Sequence, residues 1–114
     1  MNIKQGEIYL CALDPVVGKE IAKTRPAVVV SNNINNKFSG TVTILPITSR
    51  NIDKIYPFEV LLEKGSGNLK KESKAKADQI STIDKTRCMS LIGELEKEDI
   101  KKIEKAIKIH LALS

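Results

Sequence analysis

Thr24-Arg25-Pro26-Ala27-Val28-Val29-Val30 is the stretch from which the architecture can be read outward. Pro26-Ala27-Val28-Val29-Val30 is short, apolar and rich in β-branched residues, the pattern of a strand buried on both faces. Pro26 lacks an N–H and therefore suits the first position of that strand. Upstream, residues 7–13 alternate, with Ile8, Leu10 and Ala12 on one face and Tyr9, Cys11 and Leu13 on the other, which predicts a partner strand. Asp14-Pro15 stops it, and a charged loop containing Gly18 covers 16–24. Downstream, Ser31-Asn32-Asn33-Ile34-Asn35-Asn36-Lys37 is polar and turn-rich. Thr41-Val42-Thr43-Ile44-Leu45-Pro46-Ile47-Thr48 is the next strand, and Pro46 marks it as an edge or a bend.

The remaining chain continues in short pieces. Residues 49–57 form a loop, 58–62 a strand, and 63–73 a charged, glycine-containing exposed connection. Residues 74–83 are expected to form one bent strand carrying Asp78-Gln79. Residues 84–87 are a turn, and 89–95 a last strand or coil. Then the period changes: Ile100, Ile103, Ala106, Ile107 and Leu111 fall at helical spacing within 97–113. Glu98 and Asp99 lie early and Lys105 and Lys108 late, which suits the helix dipole. Short strands followed by one terminal helix predict a mainly β fold, a curved antiparallel sheet or barrel capped by the helix, with the topology left open.

At 114 residues the chain is expected to be a single domain, 1–114, able to bury a core without staples. No stretch approaches the ~20 apolar residues of a membrane span. The N-terminus lacks the apolar core of a signal peptide, so a cytoplasmic location is expected. Cys11 and Cys88 sit among apolar neighbours and are expected to be reduced core thiols. With one histidine, His110, they cannot make a tight zinc set, and no metal is expected. The net charge of +5 favours polyanionic partners, and residues 1–95 hold most of the excess.

Several chemistries are missing. One histidine excludes a two-histidine acid–base pair. There is no glycine-rich phosphate loop, no nucleophile elbow and no cysteine–histidine pair. The aromatics are only Tyr9, Phe38, Tyr56 and Phe58, fewer than a base-stacking module uses. Of the 19 basic residues only Arg25, Arg50 and Arg87 are arginine. In so lysine-rich a chain, each arginine suggests a use for the planar fork that grips phosphate bidentately. For Arg87 a structural ion pair is the preferred reading. His110 is expected on the surface or in packing.

Gly18-Lys19-Glu20, Thr24 to Val30, Thr41 to Thr48, and Asp78-Gln79-Ile80-Ser81-Thr82-Ile83-Asp84-Lys85 together resemble the MazF/PemK family of toxin endoribonucleases. Gly6-Glu7-Ile8-Tyr9 and Tyr56-Pro57-Phe58-Glu59-Val60 also fit. Each motif alone is weak; their order and spacing over nearly the whole chain are specific. The resemblance implies an SH3-like barrel of the MazF/CcdB type with a C-terminal α-helix, acting as a homodimer. It implies metal-independent, sequence-specific cleavage of single-stranded RNA, mRNA included, and so inhibition of translation and growth. It also implies a MazE-like antitoxin whose disordered, acidic and apolar C-terminal segment covers the RNA groove.

By the same resemblance, Arg25 and Thr48 match the catalytic pair and Glu20 an acidic active-site position. Asp78 and Gln79 match a segment near bound RNA, while Lys19, Lys23, Ser49 and Arg50 are candidate backbone contacts. The chain departs from the family at Ile21-Ala22-Lys23, which bears on loop shape and base preference. Two other classes remain open at this point. One is a CcdB-like toxin that jams gyrase. The other is an RNA-binding module that cuts nothing.

Overall fold

The period-two pattern of the strands becomes a sheet with apolar residues on both sides. The computed structural model describes residues 2–13 and 24–114. Asp14-Pro15, most of the following loop, and Lys19, Glu20 and Lys23 lie outside the described residues. The strands are β1 (Glu7–Ala12), β2 (Thr24–Val29), β3 (Thr41–Thr48), β4 (Glu59–Leu62), β5 (Ser73–Lys76), β6 (Ser81–Asp84) and β7 (Cys88–Glu94). The helices are α1 (Asn33–Phe38) and α2 (Lys97–His110). Strand order is β4-β5-β3-β2-β1-β7, with β6 also on β3, and every pairing is antiparallel.

The mainly β class with a terminal helix is borne out. One side of the sheet packs Ile8, Val28, Leu45 and Ile47 under Ile103 and Ala106 of α2. The other side packs Tyr9, Cys11, Ala27, Val29, Val42, Ile44 and Cys88. Val28 therefore faces one core while Ala27 and Val29 face the other, as the apolar run requires. Each fully buried Val, Leu or Ile contributes about 1.5–3 kcal/mol. No helix among the described residues is long and apolar enough to cross a membrane.

Four sequence expectations need correcting. β2 begins at Thr24, not at Pro26. Pro26 is tolerated inside it because the last β2–β3 pair is Ala27↔Pro46, so its missing N–H removes no recorded rung on that side. β3 is central, not an edge. Its first half pairs with β6 through Ile44 and its last two residues with β5, and Pro46 stands at the handover. Residues 74–83 are not one strand: the 3-10 turn Ala77–Gln79 splits them into β5 and β6. The polar stretch after β2 is not all turn. The Asn32 side chain accepts from Asn35 N–H at 2.8 Å and caps α1.

The two ends of the sheet are brought together by the β4–β5 connection. Asn68 Nδ2 donates to the Ile92 carbonyl of β7 at 3.0 Å. Gly93 permits this approach, because a Cβ there would run into the Gly67 carbonyl.

Candidate active site

Three strand termini meet at one end of the sheet: the start of β2, the end of β3 and the start of β5. Between them lies a pocket of about 400 Å³. Arg25 and Pro26 line it from β2, Ile47 and Ser49 from β3 and the residue after it, and Ser73 from β5. Leu69, Lys70 and Lys71 close it from the β4–β5 connection. The lining pairs a guanidinium and two ammonium groups with apolar walls.

The β2–β3 pairing stops two residues short of the sequence-predicted pair, Arg25 and Thr48. β2 and β3 pair as Val29↔Ile44, Val28↔Leu45 and Ala27↔Pro46. Beyond Ala27↔Pro46 the end of β3 is taken up by β5. Arg25 pairs with Cys11 of β1, and Thr48 pairs with Lys74 of β5.

Thr48 is 7% exposed. Its Oγ1 accepts from the Arg50 N–H at 3.1 Å. That bond occupies a lone pair, and the hydroxyl hydrogen stays available to donate. Ile47 and Ser49, on either side of Thr48, line the pocket, whereas Thr48 itself does not. Ser49 and Arg50 are exposed.

Beneath this edge lies a charged cluster that sequence reasoning missed. Glu59, almost fully buried, accepts from Lys74 Nζ at 3.0 Å and from Lys76 Nζ at 2.7 Å. It also accepts from the Tyr56 N–H at 3.0 Å. Burial pushes the Glu59 carboxyl up, but the Lys76, Tyr56 and Lys74 hydrogen bonds outweigh it and hold the group below its ordinary value. In the sequence, Lys74 and Lys76 sit two apart at the start of the expected 74–83 strand, with nothing local to mark a buried ammonium. Lys74 is buried under the 49–57 loop, whose Asn51 and Lys54 carbonyls it meets, and Lys76 is partly buried.

The other expected residues are spread out. Asp78 and Gln79 lie in the turn after β5 and do not line the pocket with Arg25. Asp78 is 3.9 Å from Lys76 Nζ. Lys70 and Lys71, absent from the sequence-based set, do line the pocket. The signal for them was the adjacent lysine pair in the glycine-containing connection. Arg87 Nη1 donates to the Ala12 carbonyl at 3.3 Å, in keeping with a structural role. His110 packs near Phe58, with ring centroids 6.2 Å apart. Cys11 and Cys88 are free and buried, with sulfurs 3.8 Å apart. Among the described residues no group of three or more His, Cys, Asp or Glu could hold a metal ion.

Known proteins match this chain over nearly its full length. The endoribonuclease MazF9 of Mycobacterium tuberculosis is 40% identical over 116 residues, covering 97% of this chain and 98% of that protein. Endoribonuclease EndoA of Bacillus subtilis is 35% identical over 113 residues, covering 99% of this chain and 97% of that protein. The crystal structure of MazF from Deinococcus radiodurans superposes with a TM-score of 0.84 at 25% identity, covering 99% of both chains. An endoribonuclease in complex with its cognate antitoxin from a mycobacterial species shares the fold, with a TM-score of 0.78 at 23% identity and coverage of 99% of this chain and 96% of that one. The model of the PemK-like, MazF-like toxins matches residues 4–111, and the chain belongs to that family of type II toxin–antitoxin toxins.

Proposed function

We propose that this toxin endoribonuclease cuts single-stranded RNA at preferred sequences by turning the RNA's own 2′-OH on the adjacent phosphate, without a metal ion. The O2′–P bond forms and the P–O5′ bond breaks, leaving a 2′,3′-cyclic phosphate and a 5′-OH. One proton leaves the 2′ oxygen and one arrives at the 5′ oxygen. The observation that supports the reading is the pocket that Arg25 lines together with Lys70 and Lys71, with Thr48 at the end of the neighbouring strand β3 between the pocket-lining Ile47 and Ser49.

Arg25 holds the non-bridging oxygens of the phosphorane with its planar fork and can pass a proton to the leaving oxygen. A guanidinium is a poor base, so the proton from the 2′-OH needs another acceptor, and Glu20 is assigned that role. Thr48 donates its hydroxyl hydrogen to a phosphate oxygen as a fixed dipole. Lys70, Lys71, Ser49, Arg50 and Lys19 hold flanking phosphates. Asp78 and Gln79 contact nucleotides beyond the scissile one.

The partners follow from the same surface. A MazE-like antitoxin with an acidic and apolar segment fits a pocket lined by Lys70, Lys71 and Arg25 together with Leu10, Pro26, Leu69 and Ile92. Residues 1–114 are taken as one toxin domain that acts as a homodimer on cytoplasmic mRNA.

The test is incubation of the pure protein with a long single-stranded RNA in excess EDTA. Discrete fragments with cyclic-phosphate ends are expected. Arg25→Ala should abolish them while keeping the fold, and Thr48→Ala should slow cleavage on the order of 10²-fold. Turnover near wild type in Arg25→Ala would remove Arg25 from the reaction. Intact RNA together with inhibited gyrase would reassign the toxin to a protein target.

A further inference from the structure

Thr48 sits at the junction of β3 and a loop, 49–57, that leads through Phe58 into β4. A hydroxyl that works as a fixed dipole must be held there more tightly than a strand end holds itself. The structure supplies a clamp. Lys74, the cross-strand partner of Thr48, is 4% exposed. Its Nζ donates to the Asn51 carbonyl at 3.0 Å, the Lys54 carbonyl at 3.2 Å and Glu59 Oε1 at 3.0 Å. An ammonium has three N–H donors, and all three are used, on oxygens from three separate points of the chain. Asn51, whose carbonyl is taken, has a left-handed backbone with φ 54°. The far end of the loop is fixed by the same carboxylate, since the Tyr56 N–H donates to Glu59 Oε1.

We propose that Lys74 is a positioning residue for Thr48: its buried ammonium, neutralised by Glu59, pins the 49–57 loop so that the Arg50 N–H stays on Thr48 Oγ1 and the hydroxyl hydrogen points to the phosphate. This rests on the reading of Thr48 as a phosphate donor. Stability alone does not call for a lysine here, because well-packed apolar side chains of similar volume replace buried ion pairs without loss. What the ammonium adds is direction. Two hydrogen bonds to loop carbonyls and a third to Glu59 locate a loop that has few apolar anchors: Ile55 and Tyr56 are both exposed. Lys76 takes the second carboxylate oxygen and keeps Glu59 charged and oriented toward Lys74.

The test is steady-state cleavage of a single-stranded RNA by the full-length protein, its Lys74→Met and Thr48→Ala variants, and the double variant. A misplaced donor costs up to about 10²-fold, so Lys74→Met should lower kcat about 10- to 100-fold with KM changed less than about threefold. Because Lys74 acts through Thr48, it should cost almost nothing further in the Thr48→Ala background. A folded Lys74→Met with wild-type kcat, or a loss that adds in full to that of Thr48→Ala, overturns the proposal.

A second measurement uses the wild type alone and covers the case in which Lys74→Met does not fold. Hydrogen exchange of the Arg50 amide should be slowed to the level of the β3 amides. Exchange there as fast as in an open loop overturns the clamp. If Thr48→Ala cleaves like wild type while the Arg50 amide stays protected, it is the catalytic reading of Thr48 that has failed, and the proposal falls with it.

Discussion

Cys88, Cys11 and Arg25 form one row across β7, β1 and β2, Thr48 and Lys74 form another across β3 and β5, and the far ends of the two rows are built from opposite materials. At one end two thiols meet in an apolar core. Cys11 donates to Cys88; that bond and burial push Cys11 up, while the accepting Cys88 is held down by the same bond. At the other end two ammonium groups share one carboxylate. Both ends are buried and both abut the groups assigned to RNA cleavage. The thiol end is held by packing, which is nearly indifferent to direction. The charged end is held by hydrogen bonds whose directions matter. The flank of Arg25 should therefore tolerate small changes, and the flank of Thr48 should not.

The sharpest way to break this contrast is Glu59→Ala. It leaves the buried Lys74 ammonium and the partly buried Lys76 ammonium without their counter-charge, and the expected loss is about 3–5 kcal/mol in urea-induced unfolding. A loss below about 1 kcal/mol would show the cluster to be solvated and the contrast empty.

The pH dependence gives a smaller and more selective effect. Glu59 has a folded value below the ordinary 4.5. A carboxyl with a lowered folded value adds stability that is complete above the unfolded value and disappears as pH falls through the folded one. Wild type should thus lose more stability than Glu59→Gln as pH drops below about 4.5, with no divergence above about 6. The exposed Asp84 carboxyl is also held low, by the Thr86 backbone N–H and then the Thr86 hydroxyl. It titrates equally in both proteins, so the difference between the curves isolates Glu59. Parallel acid-unfolding curves would exclude a charged Glu59 in the folded protein.

Least is expected at the thiol end. Cys88→Ala should cost about 1 kcal/mol, as an ordinary core substitution does. The double Cys11→Ala, Cys88→Ala variant should lose less than the two single losses combined, because the sulfurs touch. Cleavage should persist in all three. A collapse of RNA cutting in Cys88→Ala without loss of fold would mean that Arg25 is held as strictly as Thr48.

The sequence by itself determined the element types wherever one period dominates. Val28 between Ala27 and Val29 can bury both sides only in a covered strand, and Ile100, Ile103, Ala106 and Ile107 can share a face only in a helix. It also determined the family, because the spaced motifs around Arg25 and Thr48 are read without coordinates. The tertiary structure alone decided what stands next to what. Arg25 and Thr48 are 23 residues apart in sequence and lie near the ends of two strands that pair with each other. Cys11 and Cys88 are separated by 77 residues. Lys74 looks like any surface lysine until the 49–57 loop folds over it. Local patterns record which face of an element is apolar, whereas register, handover at Pro46 and burial of a charge are set by long-range pairing, which a linear pattern of residue types does not carry.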